Sequence, residues 1–357
     1  MRINFILPRS TNTPMGGYKV VFQYANYFSD KGHDVHIYFV INAKSNSFAL
    51  LRARISGRFF KRSTYRSISW FKLQDNIHIH YDVSSNIVKS IKQGSVIATH
   101  WSTARLVLDS NVREKDKFYF IQDFESFDPS ADERMIEETW RFGLNNIVIS
   151  KWLQYKAAEL NVPAILIPNF INQKEFDITN LVPNMERGDT ISFLWHNNSR
   201  KQSRIGLKVL KKVKKEFPNL KIIEFGATVS NDDAVSESYQ NADLESLSNR
   251  IYGQSAIYFM PSSVEGWGLT GLEAMYHSAA VISVNNGGIN EYAVNGESAL
   301  IIENNEKAMY EGIMKLLRDK AYRQYLVKNG IEVANKFSLS KSGDKFINVL
   351  GGGFINE

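Results

Sequence analysis

Twice along the chain, short runs of β-branched and aromatic residues alternate with segments of helical periodicity, and this alternation constrains the fold most. In the first half, residues 3–7, 35–41, 77–81, 96–99, 118–121 and 147–149 have the near-continuous apolar character of buried strands. Between the first two, residues 18–31 place Val20, Val21, Tyr24, Ala25 and Phe28 at helical spacing, with Gly32 as the stop. Residues 132–141 and 151–160 predict further helices. A polar stretch after Pro168 reads as a connection, and the alternation restarts near residue 190. Strands are then expected at 191–195, 220–225, 256–260, 280–284 and 299–302, with helices at 206–217, 244–253 and 270–277. Parallel strands joined by right-handed crossovers make a doubly wound α/β sheet. At 357 residues the chain has material for two such domains.

Composition removes several function classes. No cysteine is present, which excludes thiol nucleophiles, thiolate metal sites and disulfide scaffolds and fits a cytoplasmic location. No apolar run reaches the length of a spanning helix, and the run at 3–7 is too short for a signal peptide. Charge is uneven: residues 1–170 carry 22 Lys+Arg against 15 Asp+Glu, while the remainder carries 21 against 22, so the basic excess belongs to the first half. Residues 35–74 hold eight basic side chains and no carboxylate. With Phe59, Phe60, Trp70 and Phe71 among them, residues 44–72 are expected to dock on an anionic membrane surface, against the plainer reading of a solvated basic insertion. No recognition motif accompanies the charge, so a nucleic-acid partner is not expected.

The richest local pattern runs from Tyr258 to Met275. A buried strand ends at Pro261, a loop with Gly266, Gly268 and Gly271 follows, and a helix opens near Thr270. Such a turn brings free backbone N–H groups and a helix dipole to the carboxyl end of a parallel strand, where phosphates bind. Glu265 and Glu273 flank it and can grip hydroxyls of a sugar or ribose. For Glu273 a capping box, Thr270-x-x-Glu273, is an equal alternative. Gly16 and Gly17 follow the first strand, and His100 ends the strand at 96–99, both at carboxyl edges where open sheets bind ligands. A tight turn and a structural histidine are the plainer readings. Asp123 and Glu125 follow the strand at 118–121; Asp123 could orient an acceptor hydroxyl or pair with Lys117 or Arg134.

Glu265 and Glu273 form an E-x7-E signature, and Pro261-Ser262-Ser263-Val264-Glu265-Gly266-Trp267-Gly268-Leu269 resembles the retaining glycosyltransferases of family 4, which have the GT-B fold. Val281 to Tyr292, with Gly287-Gly288-Ile289-Asn290-Glu291, is similar to that family's next strand and turn, and Ile149-Ser150-Lys151-Trp152 and Ile167-Pro168-Asn169 to its segments leading into the linker. The resemblance implies two Rossmann-like domains facing a central cleft: 1–170 binding acceptor, 171–337 binding donor, and a terminal helix at 338–357 packing back on the first. It implies Glu265 beside the donor sugar, Glu273 on the ribose, and backbone at Gly266, Trp267, Gly268, Leu269 and Thr270 on the diphosphate. The family carries an Arg and a Lys five residues apart for the leaving group; here Lys201 fits the Lys while His196 stands where Arg is expected, and Arg200 or Arg204 could substitute. His100 and the Gly16-Gly17 loop are implied to touch the donor, and Asp123 and Glu125 the acceptor.

The expected function is therefore retaining transfer of a sugar from a UDP-, dTDP- or GDP-linked donor to a lipid-linked saccharide at the inner face of a bacterial membrane, for capsule or other surface polysaccharide. Rhamnosyltransferases of the family are similar. Glu265, Lys201 and His100 are the expected catalytic residues, with Glu265 holding the sugar and the departing phosphate deprotonating the incoming hydroxyl. No Asp-x-Asp occurs, so no metal or cofactor is expected. A non-catalytic partner of another transferase and a sugar-nucleotide epimerase are the alternatives.

Overall fold

Helix α1 (Gly16–Asp30) shows how the sequence builds the first unit. Its stripe of Val20, Val21, Tyr24, Ala25 and Phe28 is at most 1% exposed, and each large side chain buried there contributes about 1.5–3 kcal/mol. The chain then turns at Gly32, whose positive φ ends the helix. The computed structural model describes residues 1–41, 68–125, 131–176, 178–179 and 181–353. Contacts divide it into two units, Met1–Pro168 with Ser340–Glu357, and Asn169–Leu339.

Around α1 the first unit contains β1 (Arg2–Leu7), β2 (Asp34–Val40), β3 (His78–Val83), α2 (Ser85–Lys89), β4 (Ser95–Ala98), α3 (Trp101–Leu108), β5 (Lys117–Ile121), α4 (Glu133–Trp140), β6 (Asn145–Val148), α5 (Lys151–Glu159) and β7 (Ala164–Leu166). The strands are all parallel in the order β3-β2-β1-β4-β5-β6-β7. Strand order reverses between β1 and β4, which creates a crevice at their carboxyl ends.

The second unit repeats the plan with β8 (Thr190–Leu194), α6 (Ser203–Glu216), β9 (Lys221–Gly226), β10 (Glu237–Gln240), β11 (Ile257–Met260), α7 (Leu269–Tyr276), β12 (Ala280–Val284), β13 (Leu300–Ile302), α8 (Glu306–Arg318) and α9 (Lys320–Ala334). Its parallel order is β10-β9-β8-β11-β12-β13, so the switch point lies between β8 and β11. Helix α6 buries Leu207, Val209, Leu210 and Val213 against Ile191 and Phe193 of β8, and α8 adds Ile313, Leu316 and Leu317 to the same core. Helix α10 (Leu339–Leu350) takes the chain back to the first unit, where Phe346 is fully buried among Tyr24, Phe28 and Phe120.

Two local features of the second unit depart from the sequence reading. In place of the helix read at 244–253, a π-helical turn (Ser246–Ile251) runs into a 3₁₀ turn (Tyr252–Gln254). Buried Arg187 takes hold of the carbonyls of Tyr252 and Ser255, and of Val182 and His277 as well, while Ser255 Oγ donates to Ile251 O. Those bonds draw the last turn away from regular α geometry. Strand β10, Glu-Ser-Tyr-Gln, is an edge strand too polar to announce itself. Trp70 and Phe71 are half-buried: both rings pack on Phe22 of α1, at 5.6 and 5.4 Å, and Trp70 Nε1 donates to Thr11 O. Residues 44–67 of the proposed docking segment, with Phe59, Phe60, Arg58, Lys61, Arg62 and Arg66, lie outside the described residues. Among the described residues no helix is long and apolar enough to cross a membrane.

Candidate functional site

Two loops meet at the switch point of the second sheet. One leaves β8 through Trp195 and His196, makes a 3₁₀ turn at Ser199–Lys201, and enters α6 through Gln202 in a left-handed conformation. The other leaves β11 at Pro261 and enters α7 through Gly268, also left-handed, with φ 82°. They are stitched together by Ser263, whose N–H and Oγ both donate to Arg200 O, at 2.7 and 3.1 Å.

This stitching brings Lys201 and Glu265 into contact although 64 positions separate them. Lys201 Nζ donates to both carboxylate oxygens, at 2.7 and 2.8 Å. Both side chains are mostly buried, at 20% and 11% exposure, so the pair is screened far less than a surface ion pair. The Glu265 N–H donates to Asn286 O, and a bridge to Gly287 fixes its backbone. Gly288 is required here: a Cβ would lie 2.6 Å from the Trp267 carbonyl carbon and 2.9 Å from Glu265 Cβ.

Glu273 sits on the first turns of α7, and the capping box, its alternative reading, is not formed. Left-handed Gly268 starts the helix earlier and occupies the N-cap, leaving Thr270 inside it. Glu273 Oε2 accepts instead from Tyr252 Oη at 3.0 Å. Burial first, and then the Glu273 carboxylate, hold the Tyr252 phenol well above its ordinary pKa, so it remains a donor. Tyr292 Oη donates to Gly268 O at 2.8 Å and lies where a Cβ on Gly271 would fall, at 2.5 Å. Neither tyrosine stands out in the sequence: each is one more apolar position until the fold places its hydroxyl.

The other residues singled out for the donor divide. Trp267 is 3% exposed and packs under the turn, tilted against Tyr292 and edge-on to Phe337, so its indole is core and only its backbone belongs to the turn. Gly266 is buried, and Leu269 and Thr270 are half-buried at the start of α7. His196 is exposed and its Nδ1 accepts from the Asn198 N–H at 2.9 Å. Although its side chain reaches solvent, the surrounding loop desolvates the ring and lowers its pKa; the Lys201 and Arg200 cations add to this and Glu265 opposes it. The exposed Arg204 guanidinium lies over the Trp195 ring at 5.7 Å.

In the first unit His100 follows β4 and caps α3, its Nδ1 accepting from the Ser102 N–H at 3.2 Å. Glu125, at positive φ, turns its carboxylate to the same helix start: Oε2 accepts from the Trp101 N–H at 2.8 Å, and Oε1 lies 3.8 Å from His100 Nε2. An anion at a helix N-terminus is stabilised there, so Glu125 anchors His100. Asp123 Oδ1 accepts from the Phe124 N–H, and Lys117 pairs with Glu114. Gly16 and Gly17 open α1, and a Cβ on Gly16 would meet nothing within 4 Å. Beside them Arg9, Ser10, Thr11, Asn12 and Thr13 line a cavity of about 330 Å³ after β1, which the sequence did not single out.

Residues 198–333 match the family Glycosyl transferases group 1. A capsular polysaccharide biosynthesis glycosyltransferase of Staphylococcus aureus is 36% identical over 90 residues, 25% of this chain and 24% of the relative. The chain's alignments span between 19% and 39% of the lengths of the curated relatives it matches. Among solved structures, sucrose-phosphate synthase from Thermosynechococcus elongatus superposes with a TM-score of 0.74 at 14% identity, covering 98% of both chains. An Anabaena protein, HepE, in complex with UDP and glucose superposes with a TM-score of 0.71 at 12% identity over 99% of this chain and 100% of that one. The two doubly wound sheets are those of the GT-B fold, and residues 198–333, most of the second unit, are similar to the group 1 glycosyltransferases.

Proposed function

We propose that this protein is a retaining glycosyltransferase that moves a sugar from a nucleoside-diphosphate donor to a saccharide acceptor. The observation that carries the reading is the Lys201–Glu265 pair held beside the opening of α7. A diphosphate seated against the N–H groups at Gly268, Leu269 and Thr270 would meet the helix dipole, with Lys201 as the adjacent cation for the charge that grows on departure. Glu265, relieved of Lys201, would accept hydroxyls of the donor sugar, and Glu273, steadied by Tyr252, those of the ribose. The leaving phosphate takes the acceptor proton on the same face, which is the retaining route. Lys201 and the helix supply the electrophilic help, so the reading includes transfer without a metal or cofactor.

Support for a nucleotide sugar comes also from the UDP and glucose bound by the Anabaena protein. The open space over Gly16 is what close approach of a ligand needs, and His100, buttressed by Glu125, is assigned to the same reaction. The acceptor is assigned to the first unit, with Asp123 and the hydroxyl-lined cavity after β1. A lipid-linked acceptor in surface polysaccharide synthesis, at the inner membrane face, is in keeping with the capsular relative and the basic segment.

Incubation with UDP-, dTDP- and GDP-sugars and candidate acceptors should give acceptor-dependent nucleotide release that Glu265→Gln abolishes, with the product anomer matching the donor by NMR. Failure of every nucleotide sugar to bind, or release that Glu265→Gln leaves untouched, would overturn the assignment.

A further inference from the structure

At the β2–β3 edge of the first sheet stands a group of ligating side chains that the donor turn does not use. Side chains alternate across a strand, so Asp34, His36 and Tyr38 share one face of β2, and His78 and His80 one face of β3. The parallel register pairs His36 with His78 and Tyr38 with His80, which brings the five onto the same side of the sheet. The rings stack accordingly, His36 on His78 at 4.5 Å and Tyr38 on His80 at 4.3 Å.

Asp34 Oδ1 lies 2.9 Å from His36 Nε2 and 3.7 Å from His78 Nε2, and one ligand atom from each residue lies within 4.8 Å of the other two. Two atoms bound about 2.0–2.1 Å from a tetrahedral zinc stand about 3.3 Å apart, so closing the three on one ion takes shifts of about 1 Å together with a turn of the His78 ring out of its stack on His36. Those shifts are open to Asp34 and His78, whose side chains are 45% and 59% exposed, while His36 is held by its burial. The outer contacts suit ligation as well. His36 Nδ1 lies 3.0 Å from His80 Nε2, and the tautomer that donates there leaves the His36 Nε2 lone pair for an ion. Arg2 Nε donates to Asp34 Oδ2 at 2.8 Å and leaves Oδ1 turned to the histidines.

We infer that Asp34, His36 and His78 form a binding site for one divalent transition ion of the zinc class, which clips β3 to β2. Two imidazoles and a carboxylate select zinc, nickel or copper over calcium and magnesium. The site lies at the amino-terminal ends of its strands, whereas His100 and Gly16 follow carboxyl ends, so the ion ties down an edge and takes no part in transfer. Near it the Met1 amino group lies 3.2 Å from His33 Nδ1, a second chelating pair that the test must separate.

Tag-free full-length protein, stripped with a chelator, should bind one equivalent of Zn²⁺ by calorimetry and melt at a higher temperature with it. Co²⁺ in its place should show the intensified visible absorption of a four-coordinate site. His78→Ala and Asp34→Asn should each weaken Zn²⁺ binding tenfold or more, and His80→Phe about tenfold through the lost outer contact. Because His78 is exposed, its variant should melt as the wild type does without metal, which keeps the comparison clean. Absence of stoichiometric binding, binding unchanged in His78→Ala, or binding lost only in His33→Ala would each overturn the site.

Discussion

At the scale of single residues, the Lys201–Glu265 pair is the point where stability and proposed chemistry compete. Removing the lysine leaves a mostly buried carboxylate without its cation, which costs about 1–3 kcal/mol. It also removes the charge offered to a leaving diphosphate, worth about 10²-fold in kcat for one lost donor of this kind. Lys201→Met should therefore unfold at lower urea and turn over about a hundredfold more slowly, and Glu265→Gln should lose turnover while still binding nucleoside diphosphate by calorimetry. His196 supplies a pH signature. Its pKa is lowered in the fold, so the unfolded chain binds the proton more readily; its contribution is whole above its ordinary value of 6.5 and is lost as pH falls below it. Urea midpoints of wild type and His196→Asn, compared from about pH 7.5 to about pH 5, should show a steeper acid decline in the wild type. Identical slopes would mean His196 does not titrate against Lys201, Arg200 and Glu265 as described.

At the scale of elements, the donor turn depends on small residues that let backbone and side chains approach. Gly271 lies under the Tyr292 hydroxyl, so Gly271→Ala should cost about 1–3 kcal/mol by overpacking. Tyr292→Phe gives up the bond to Gly268 O but removes the clashing oxygen. The double variant should then be more stable than the sum of the singles, a coupling that urea denaturation of the four proteins measures. Additive effects would show that the turn relaxes by another route. Much of this element was legible in sequence: the strand to Met260, the glycine-bearing loop and the helix follow from apolar runs and punctuation. The exact start of α7 was not, because a left-handed glycine outcompeted the Thr270-x-x-Glu273 pattern. Strand β10 and the π-helical turn were hidden for a similar reason, since pairing at a sheet edge and the grip of Arg187 act across the fold.

At the scale of the whole molecule, the second unit is continuous while the first is closed by a segment that returns at Ser340. Phe346 fills an aromatic pocket of the first unit, so Phe346→Ala should cost about 3–5 kcal/mol there. Calorimetry should show the first unit's transition falling while a nucleoside diphosphate still protects the second; loss of both together would mean the units unfold as one. The sequence by itself determined the two parallel sheets, since buried strands alternating with amphipathic helices pack in few ways. The glycine-bearing turn also marked Glu265 and Glu273, and the family resemblance added Lys201. Only the tertiary structure decided which of these touch, that Trp267 and Trp70 are packing residues, that Glu125 braces His100, and that Asp34, His36 and His78 converge. Local periodicity fixes which face a side chain takes, whereas contact across dozens of residues is set by strand order and register, which exist only once the sheets have formed.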